Sequence, residues 1–433
     1  MMTLTGWGRY PETPARIFQC MAGSDVADCL KQGSQWIAHG LGRSYGDSAL
    51  GENVLLVTPM NRVVHFDDAT GVLRCEAGIS LGEVISALLP RGWFLPVTPG
   101  TRHVTVGGAI ASDVHGKNHH LDGSFSRWVH DFTLMLADGS VVTCSANENP
   151  DLFHATCGGM GLTGIVLSAT LRMRRVVSAY MDSGVVFAEN LKALLDCFGR
   201  HGHWPYLVAW VDCTGTGTDI GRGLVFMGRH AMTGDLRYAP KQELTVPGRF
   251  PGWLLMPRSA RLFNRLYARY YRMQKSEHRV SVESFFFPLD RLGQWHRLYG
   301  RSGMLQYQFV LPKAAGAAGL RRIFSEIRRH GATPFLGVLK LLGEENDNYL
   351  SFPRAGYTLA LDFKAHPAVF ALLDTLDDIV ADHGGRVYLA KDARMKADML
   401  PAGYPCLDAF REVREQYGLI RTFQSLQSRR LAL

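Results

Sequence analysis

No stretch of this sequence reaches the roughly 18 consecutive apolar residues that a membrane-spanning helix needs, so none is expected. Met1 to Tyr10 carry no apolar core of signal-peptide length. The eight cysteines (Cys20, Cys29, Cys75, Cys144, Cys157, Cys197, Cys213 and Cys406) are scattered without a CxxC, which argues against a structural zinc site or a small disulfide scaffold. A reducing compartment is the simpler reading. Internal repeats and low-complexity linkers are absent too, so neither a solenoid nor a disordered tether is expected. Acid is scarce in one window: from Gly248 to Arg279, seven Arg and one Lys face only Glu277. That window's excess of seven positive charges nearly accounts for the chain's net +8, so the basicity is local.

What is present reads as a folded protein of two domains. The 433 residues exceed one ordinary core, and 46% hydrophobic with 20% charged residues is a globular composition. Between residues 36 and 175, Trp36–His39, Val54–Val57, Leu73–Ala77, Phe132–Leu136, Ser140–Cys144 and Ile165–Met173 read as short strands. Ala137-Asp138-Gly139 is a hairpin signal. Leu81 to Leu89 reads as a helix, with Ser80 and Glu83 in capping-box spacing. Further on, Tyr206–Val211, Gly223–Met227, Leu305–Leu311, Phe335–Leu341 and Tyr357–Phe363 read as strands. Helices are expected over Leu320 to His330 and from Pro367 to Gly384-Gly385, the latter with Val369, Leu372, Leu373, Leu376, Ile379 and Val380 on one face. The fold class is α+β.

Three glycine-dense segments carry the chemistry. Gly40-Leu41-Gly42-Arg43-Ser44-Tyr45-Gly46-Asp47 follows an apolar strand; it suits close main-chain approach to an anion, and equally a tight turn. Pro99-Gly100-Thr101 leads through Thr105 to Ala111 into His115-Gly116-Lys117-Asn118-His119-His120, small residues that permit contact with a large flat ligand. The three histidines lack an HExxH-type spacing, so no metal is expected. Gly159 to Gly164 contains a formal GxGxxG, but a strand follows it where a dinucleotide-binding Rossmann unit needs a helix. That reading is rejected.

In this order and spacing the segments resemble the FAD-binding domain of vanillyl-alcohol-oxidase-type (PCMH-type) flavoenzymes, and within them the decaprenylphosphoryl-β-D-ribose oxidase family. The resemblance runs from Leu4-Thr5-Gly6-Trp7-Gly8-Arg9 through the glycine segments and Gly161 to Ile165, to Leu305–Val310, Ser351-Phe352-Pro353 and Ala390-Lys391-Asp392. It implies an α+β fold of a PCMH-type domain with an antiparallel-sheet cap, residues 1–178 and 386–433 binding FAD and 179–385 capping the substrate. It places FAD against Ala38, His39, Gly40, Leu41, Gly42, Arg43, Ser44, Tyr45, Gly46, Asp47, Ser48, Gly100, Thr105, Val106, Gly107, Gly108, Ser112, Asp113, Val114, His115, Val166 and Tyr388. The first loop has no histidine after His39, so dissociable, non-covalent FAD is expected.

By the same resemblance Lys391, Lys340, Gln308 and Gln306 are the catalytic polar residues, with Lys117, Trp210, Phe286, Thr358 and Ala360 in the substrate pocket. The implied reaction takes a hydride from a carbinol carbon to the flavin while a base takes the hydroxyl proton. An ammonium at Lys391 would stabilise charge developing on the flavin; a desolvated Lys391 would instead accept the proton. Both roles stay open, and Lys340 would hold a substrate phosphate. Where the family has a Cys and an Asn in the strand matching Tyr357–Phe363, this chain has Ala360 and Thr358, which leaves the sugar and lipid open.

The implied activity is oxidation of the 2-hydroxyl of a polyprenyl-phosphate-linked pentose to a keto sugar, the first half of a two-enzyme 2′-epimerisation in cell-envelope arabinose biosynthesis. An NAD(P)H-dependent short-chain reductase would be the partner. The alternatives are an FAD-dependent alditol or aldonolactone oxidase acting on a soluble sugar, or a non-catalytic FAD-containing membrane scaffold. Arg258, Arg261, Arg265, Arg269 and Arg272 form one helical stripe, with Leu262, Leu266, Tyr270, Phe263 and Tyr267 on other faces and Phe250, Trp253, Leu254 and Leu255 before it. Such a segment suits an anionic membrane surface, peripheral on the inner face of the cell membrane from the cytoplasm. A solvated helix packing its leucines on the domain is the bland alternative; nucleic acid lacks any accompanying motif.

Overall fold

The computed structural model describes residues 1–215, 217–240, 244–246, 257–272, 277–300 and 302–433, and among the described residues three larger sheets organise the chain. The first has the order Met2–Thr5, Glu12–Gln19, Asn53–Leu56, Ile37–His39, with Asn53–Leu56 parallel to both neighbours. The second runs Val63–Asp67, Val72–Glu76, Ile165–Arg172, Val129–Met135, Val141–Cys144, all antiparallel. The third has eight antiparallel strands: Glu277–Ser281, Tyr180–Ala188, Gly223–His230, Tyr206–Val211, Gly337–Leu342, Gly356–Lys364, Met304–Pro312 and Arg386–Val387. The fold is α+β.

Local signals explain most elements. Helix Leu81–Leu88 opens on a capping box: Glu83 N donates to Ser80 Oγ at 3.1 Å, and Ser80 N to the Glu83 carboxylate at 2.8 Å. Its buried positions, Leu81, Val84, Ile85 and Leu88, form one stripe. Helix Pro367–Asp382 starts on a proline and stops before Gly384, whose φ of +66° ends it. A strand, Ile165–Arg172, follows Gly164, as the rejection of a Rossmann unit requires.

Two readings need correction. The helix expected from Leu320 begins at Lys313. Gly316 and Gly319 do not break it: a Cβ there would sit 2.6 Å from the Tyr357 ring and 2.5 Å from Leu311, so they are close-packing positions. The helix Pro257–Arg272 does not tuck its leucines against the domain. Asn264 turns inward and donates to Asp212 at 2.7 Å, and Tyr267 and Tyr271 pack on Trp210 and Phe226. Leu262 and Leu266 are each 59% exposed, beside exposed Arg261, Arg265, Arg269 and Arg272. Phe250, Trp253, Leu254, Leu255 and the side chain of Arg258 lie outside the described residues.

The two ends of the chain are sewn together. Trp36 N donates to Thr422 O (2.7 Å) and Gln424 N returns to Trp36 O (3.0 Å). Buried Arg414 donates to Leu162 O at 3.0 Å and Phe423 O at 2.6 Å. Most tightly, Tyr45 N donates to Ala390 O (3.1 Å), and Arg430 bridges Asp47 and Asp392 at 2.8 Å each. At this junction a Cβ on Gly46 would lie 1.8 Å from the Asp392 carbonyl oxygen, so only glycine fits. Gly46→Ala should therefore lower the unfolding free energy by about 1–3 kcal/mol, read from urea denaturation; an unchanged midpoint would show that the junction yields without cost.

Candidate active site

The glycine segments and the third sheet meet in one cavity of about 310 Å³. From the first loop it is lined by Ala38, Gly40, Leu41, Gly42, Arg43, Ser44, Tyr45 and Ser48. Gly100, Thr105, Gly107, Gly108, Ser112, Val114, His115 and Val166 continue the lining. Gln306, Gln308, Lys340, Ala360, Tyr388 and Lys391 complete the predicted set. The two loops touch directly, since a Cβ on Gly40 would stand 2.6 Å from Thr105 Oγ1.

Sheet register explains why the polar residues gather. Alternate residues of a strand share a face, and the antiparallel register pairs Gln306 with Asp362, Gln308 with Ala360, Val338 with Ala360 and Lys340 with Thr358. The intervening Tyr307, Phe309, Leu339, Leu359 and Leu361 are buried in the core. Lys391 arrives from the junction: Tyr388 N donates to Gln308 O at 2.8 Å, and the Lys391 ammonium lies 4.1 Å from the Tyr45 ring centroid.

Both glutamine amides have a fixed sense. The Gln306 amide nitrogen donates to Asp362 Oδ1 at 2.6 Å. Thr358 donates its hydroxyl to Phe309 O at 2.8 Å and so accepts from the Gln308 amide at 3.2 Å; the same nitrogen lies 3.0 Å from His115 Nε2. Each glutamine thereby keeps its Oε1 as an acceptor.

Several expected residues stand behind the wall. His39 sits 2.9 Å from Ala49 O through Nδ1, Gly46 and Asp47 belong to the junction, and Val106 is core. Fully buried Asp113 accepts from Asn346, Asn348, Ser351 and Ser126 N, anchoring the loop that presents His115. Thr358 acts through Gln308. Lys117 donates to Phe285 O and lies over the Phe285 ring, Phe286 is buried beside Tyr206, and Trp210 packs on Tyr267. His119 accepts from Gly343 N at 3.0 Å, and His120 Nε2 lies 3.0 Å from Trp204 O. The sequence reading missed Trp7, Leu289, Asp290, Trp295, Leu336 and Val338, which also line the cavity; Val338 was signalled by its place two residues before Lys340.

Burial dominates the electrostatics. It lowers Lys340 from its ordinary 10.5 to about 8. Lys391 falls to about 7 through burial, against the pull of Asp362 and with a push from Lys340. Lys117 falls to about 7 for the same first reason. His115 is driven well below its usual range by burial and the lysine charges, so it is neutral at pH 7. With Nε2 facing the Gln308 amide, the proton sits on His115 Nδ1, a buried donor without a protein partner. An orphaned donor, a glycine-lined wall, neighbouring hydroxyls and two amines fit a large, flat, anionic cofactor. Ser44, Ser112, His115 and the glycines would hold it, leaving the lysines and glutamines facing what remains of the cavity.

Comparison with known proteins agrees with this geometry. A family model described as an FAD binding domain matches residues 23–145. Decaprenylphosphoryl-beta-D-ribose oxidase of Mycolicibacterium smegmatis is 36% identical over 99% of this chain and 97% of its own. L-gulonolactone oxidase of Mus musculus is 30% identical over 45% of each chain, and Delta(24)-sterol reductase of Homo sapiens 34% identical over 26% of this chain and 22% of its own.

The lowered amines give a stability prediction with a definite sign. Unfolded lysine keeps its proton up to about pH 10.5 whereas folded Lys340 gives it up near 8, so burial costs stability below that window and costs nothing above it. Lys340→Met should raise the unfolding free energy at pH 7 and lose that advantage by pH 11, measured by urea denaturation at both. An equal gain at both pH values would mean that the amine is not desolvated.

Proposed function

Since the chain belongs to the decaprenylphosphoryl-β-D-ribose oxidase family of FAD-dependent oxidoreductases, we propose that it oxidises the 2-hydroxyl of a polyprenyl-phosphate-linked pentose to the keto sugar. The observation that carries this reading is the meeting, in one cavity, of two desolvated lysines with two amide acceptors. FAD, when bound, supplies the two-electron acceptor. Oε1 of Gln306 and Gln308 accept hydrogen bonds from sugar hydroxyls, which orients the ring. Lys391, with a proton affinity near neutrality, takes or holds the hydroxyl proton as the alcohol becomes a carbonyl. Lys340 meets the substrate phosphate. On this reading FAD is held without a covalent link by residues 1–178 and 386–433, and residues 179–385 cap the substrate.

The keto sugar leaves for an NAD(P)H-dependent short-chain reductase, which completes a 2′-epimerisation supplying cell-envelope arabinose. A lipid-anchored substrate also accounts for the helix Pro257–Arg272. Its exposed leucines and arginines suit anionic headgroups. Its inner face, through Tyr267, packs in one cluster with Leu336, which lines the cavity. The basic window 248–279 is thus proposed as a peripheral contact on the cytoplasmic face of the membrane. Among the described residues no helix is long and apolar enough to cross it.

Flavin reduction under argon tests the substrate. The yellow protein should bleach with a prenyl-phospho-pentose and not with xylitol or gulonolactone. Bleaching by the free sugars alone would favour the soluble-sugar oxidase, and no bleaching with any sugar would favour a scaffold. Lys391→Ala should slow bleaching about 100-fold or more; an unchanged rate would remove it from the chemistry. In flotation with anionic vesicles, Arg261→Glu/Arg265→Glu/Arg269→Glu should abolish binding, and persistent binding would place the contact elsewhere.

A further inference from the structure

Asp362 lies in the strand read over Tyr357–Phe363 but carried no role in the sequence, and the structure puts it one layer behind the cavity. It continues the row Thr358–Ala360–Asp362 along one strand, directly opposite Gln306 in the register. It is 1% exposed, and its backbone is tied to the neighbouring segment, Asp362 N donating to Leu336 O and Phe335 N to Asp362 O. One carboxyl oxygen accepts from the Gln306 amide; the other, Oδ2, is buried with no partner. A carboxylate so placed needs a compensating charge. The nearby ionisable groups are Lys391, Tyr45, Tyr299 and Cys213. Lys391 is the cation among them, and it in turn faces Asp362, Lys340 and, at 4.1 Å, the Tyr45 ring.

We propose that Asp362 is a positioning residue that locks the Gln306 amide, with its oxygen toward the substrate, and supplies the negative charge that acts on Lys391. This rests on the reading of the cavity as the reaction site, but its physical content does not. The carboxylate cannot donate when ionised, so Gln306 must offer its nitrogen to it and its carbonyl to the cavity. The same negative charge decides how readily Lys391 keeps a proton. Burial raises Asp362 to about 7 and lowers Lys391 to about 7, and each charge partly offsets that effect at the other. Losing the charge at Asp362 weakens the hold of Lys391 on its proton, and the reverse holds by linkage.

The test is the pH at which Lys391 loses its proton in the FAD-loaded protein, followed by NMR of ε-¹³C-lysine with the resonance assigned by its absence in Lys391→Met. Asp362→Asn preserves an acceptor for Gln306 and removes the charge, and should lower that midpoint by about one pH unit. Asp362→Glu, which restores a charge, should bring it back toward the original value. An unmoved midpoint in Asp362→Asn would overturn the proposal even if turnover fell, because a purely structural residue would alter activity without retuning one amine. If Asp362→Asn does not fold, the reciprocal measurement stands: in Lys391→Met the Asp362 carboxyl resonance should titrate about one unit higher, and no shift would overturn the pairing. Neither readout involves a sugar, so a wrong substrate leaves this result intact.

Discussion

The contact between Gly46 and the Asp392 carbonyl is the constraint on which the site depends. Nearly 350 residues apart, the first glycine loop and the segment bearing Lys391 meet with no room for a methyl group. The Arg430 guanidinium ties the carboxylates on either side, Asp47 and Asp392, to one cation. Burying like charges next to each other is costly unless each is hydrogen-bonded, and Asp392 is further satisfied by the backbone of Arg394 and Met395. The junction therefore holds Lys391 against Tyr45 as a consequence of packing and not of any ligand.

With that edge fixed, the eight-stranded sheet supplies the rest by alternation. The same register that buries Tyr307, Phe309 and Leu359 turns Gln306, Gln308, Lys340 and Thr358 the other way. Thr358 shows how the polar layer is organised: its single hydroxyl hydrogen goes to a backbone carbonyl, which leaves its oxygen to orient Gln308. Burial makes each lysine brought in resist protonation. Such amines are costly to bury, and their placement beside fixed acceptors is the pattern expected where a proton must move at neutral pH.

How much of this was legible depended on whether the signal was local. The capping box at Ser80 and Glu83, the proline start and glycine stop around residues 367–384, and the strand after Gly164 were all written in short spans. The first two turns of the helix Lys313–Arg329 went unread, because in one dimension a close-packing glycine such as Gly316 or Gly319 cannot be told from a helix breaker. For Pro257–Arg272 the sequence left exposed and packed leucines both open: a helix with large residues all round does not announce that Asn264 is its inward face. Resemblance brought Lys340 and Lys391 to notice, and the structure sets both on one cavity. Asp362 was invisible because its meaning lies in a cross-strand pairing. His39, Asp47 and Asp113 sit in the right motifs, yet they brace the loops from behind.

The central claim is that the amines at 340 and 391 share one cavity with the cofactor. Competitive acetylation followed by peptide mass spectrometry tests it directly, comparing FAD-loaded protein with protein stripped of FAD. Lys340 and Lys391 should be protected by FAD, while Lys192, 75% exposed in its side chain, should react equally in both. Equal reactivity of Lys340 and Lys391 with and without FAD would contradict the account.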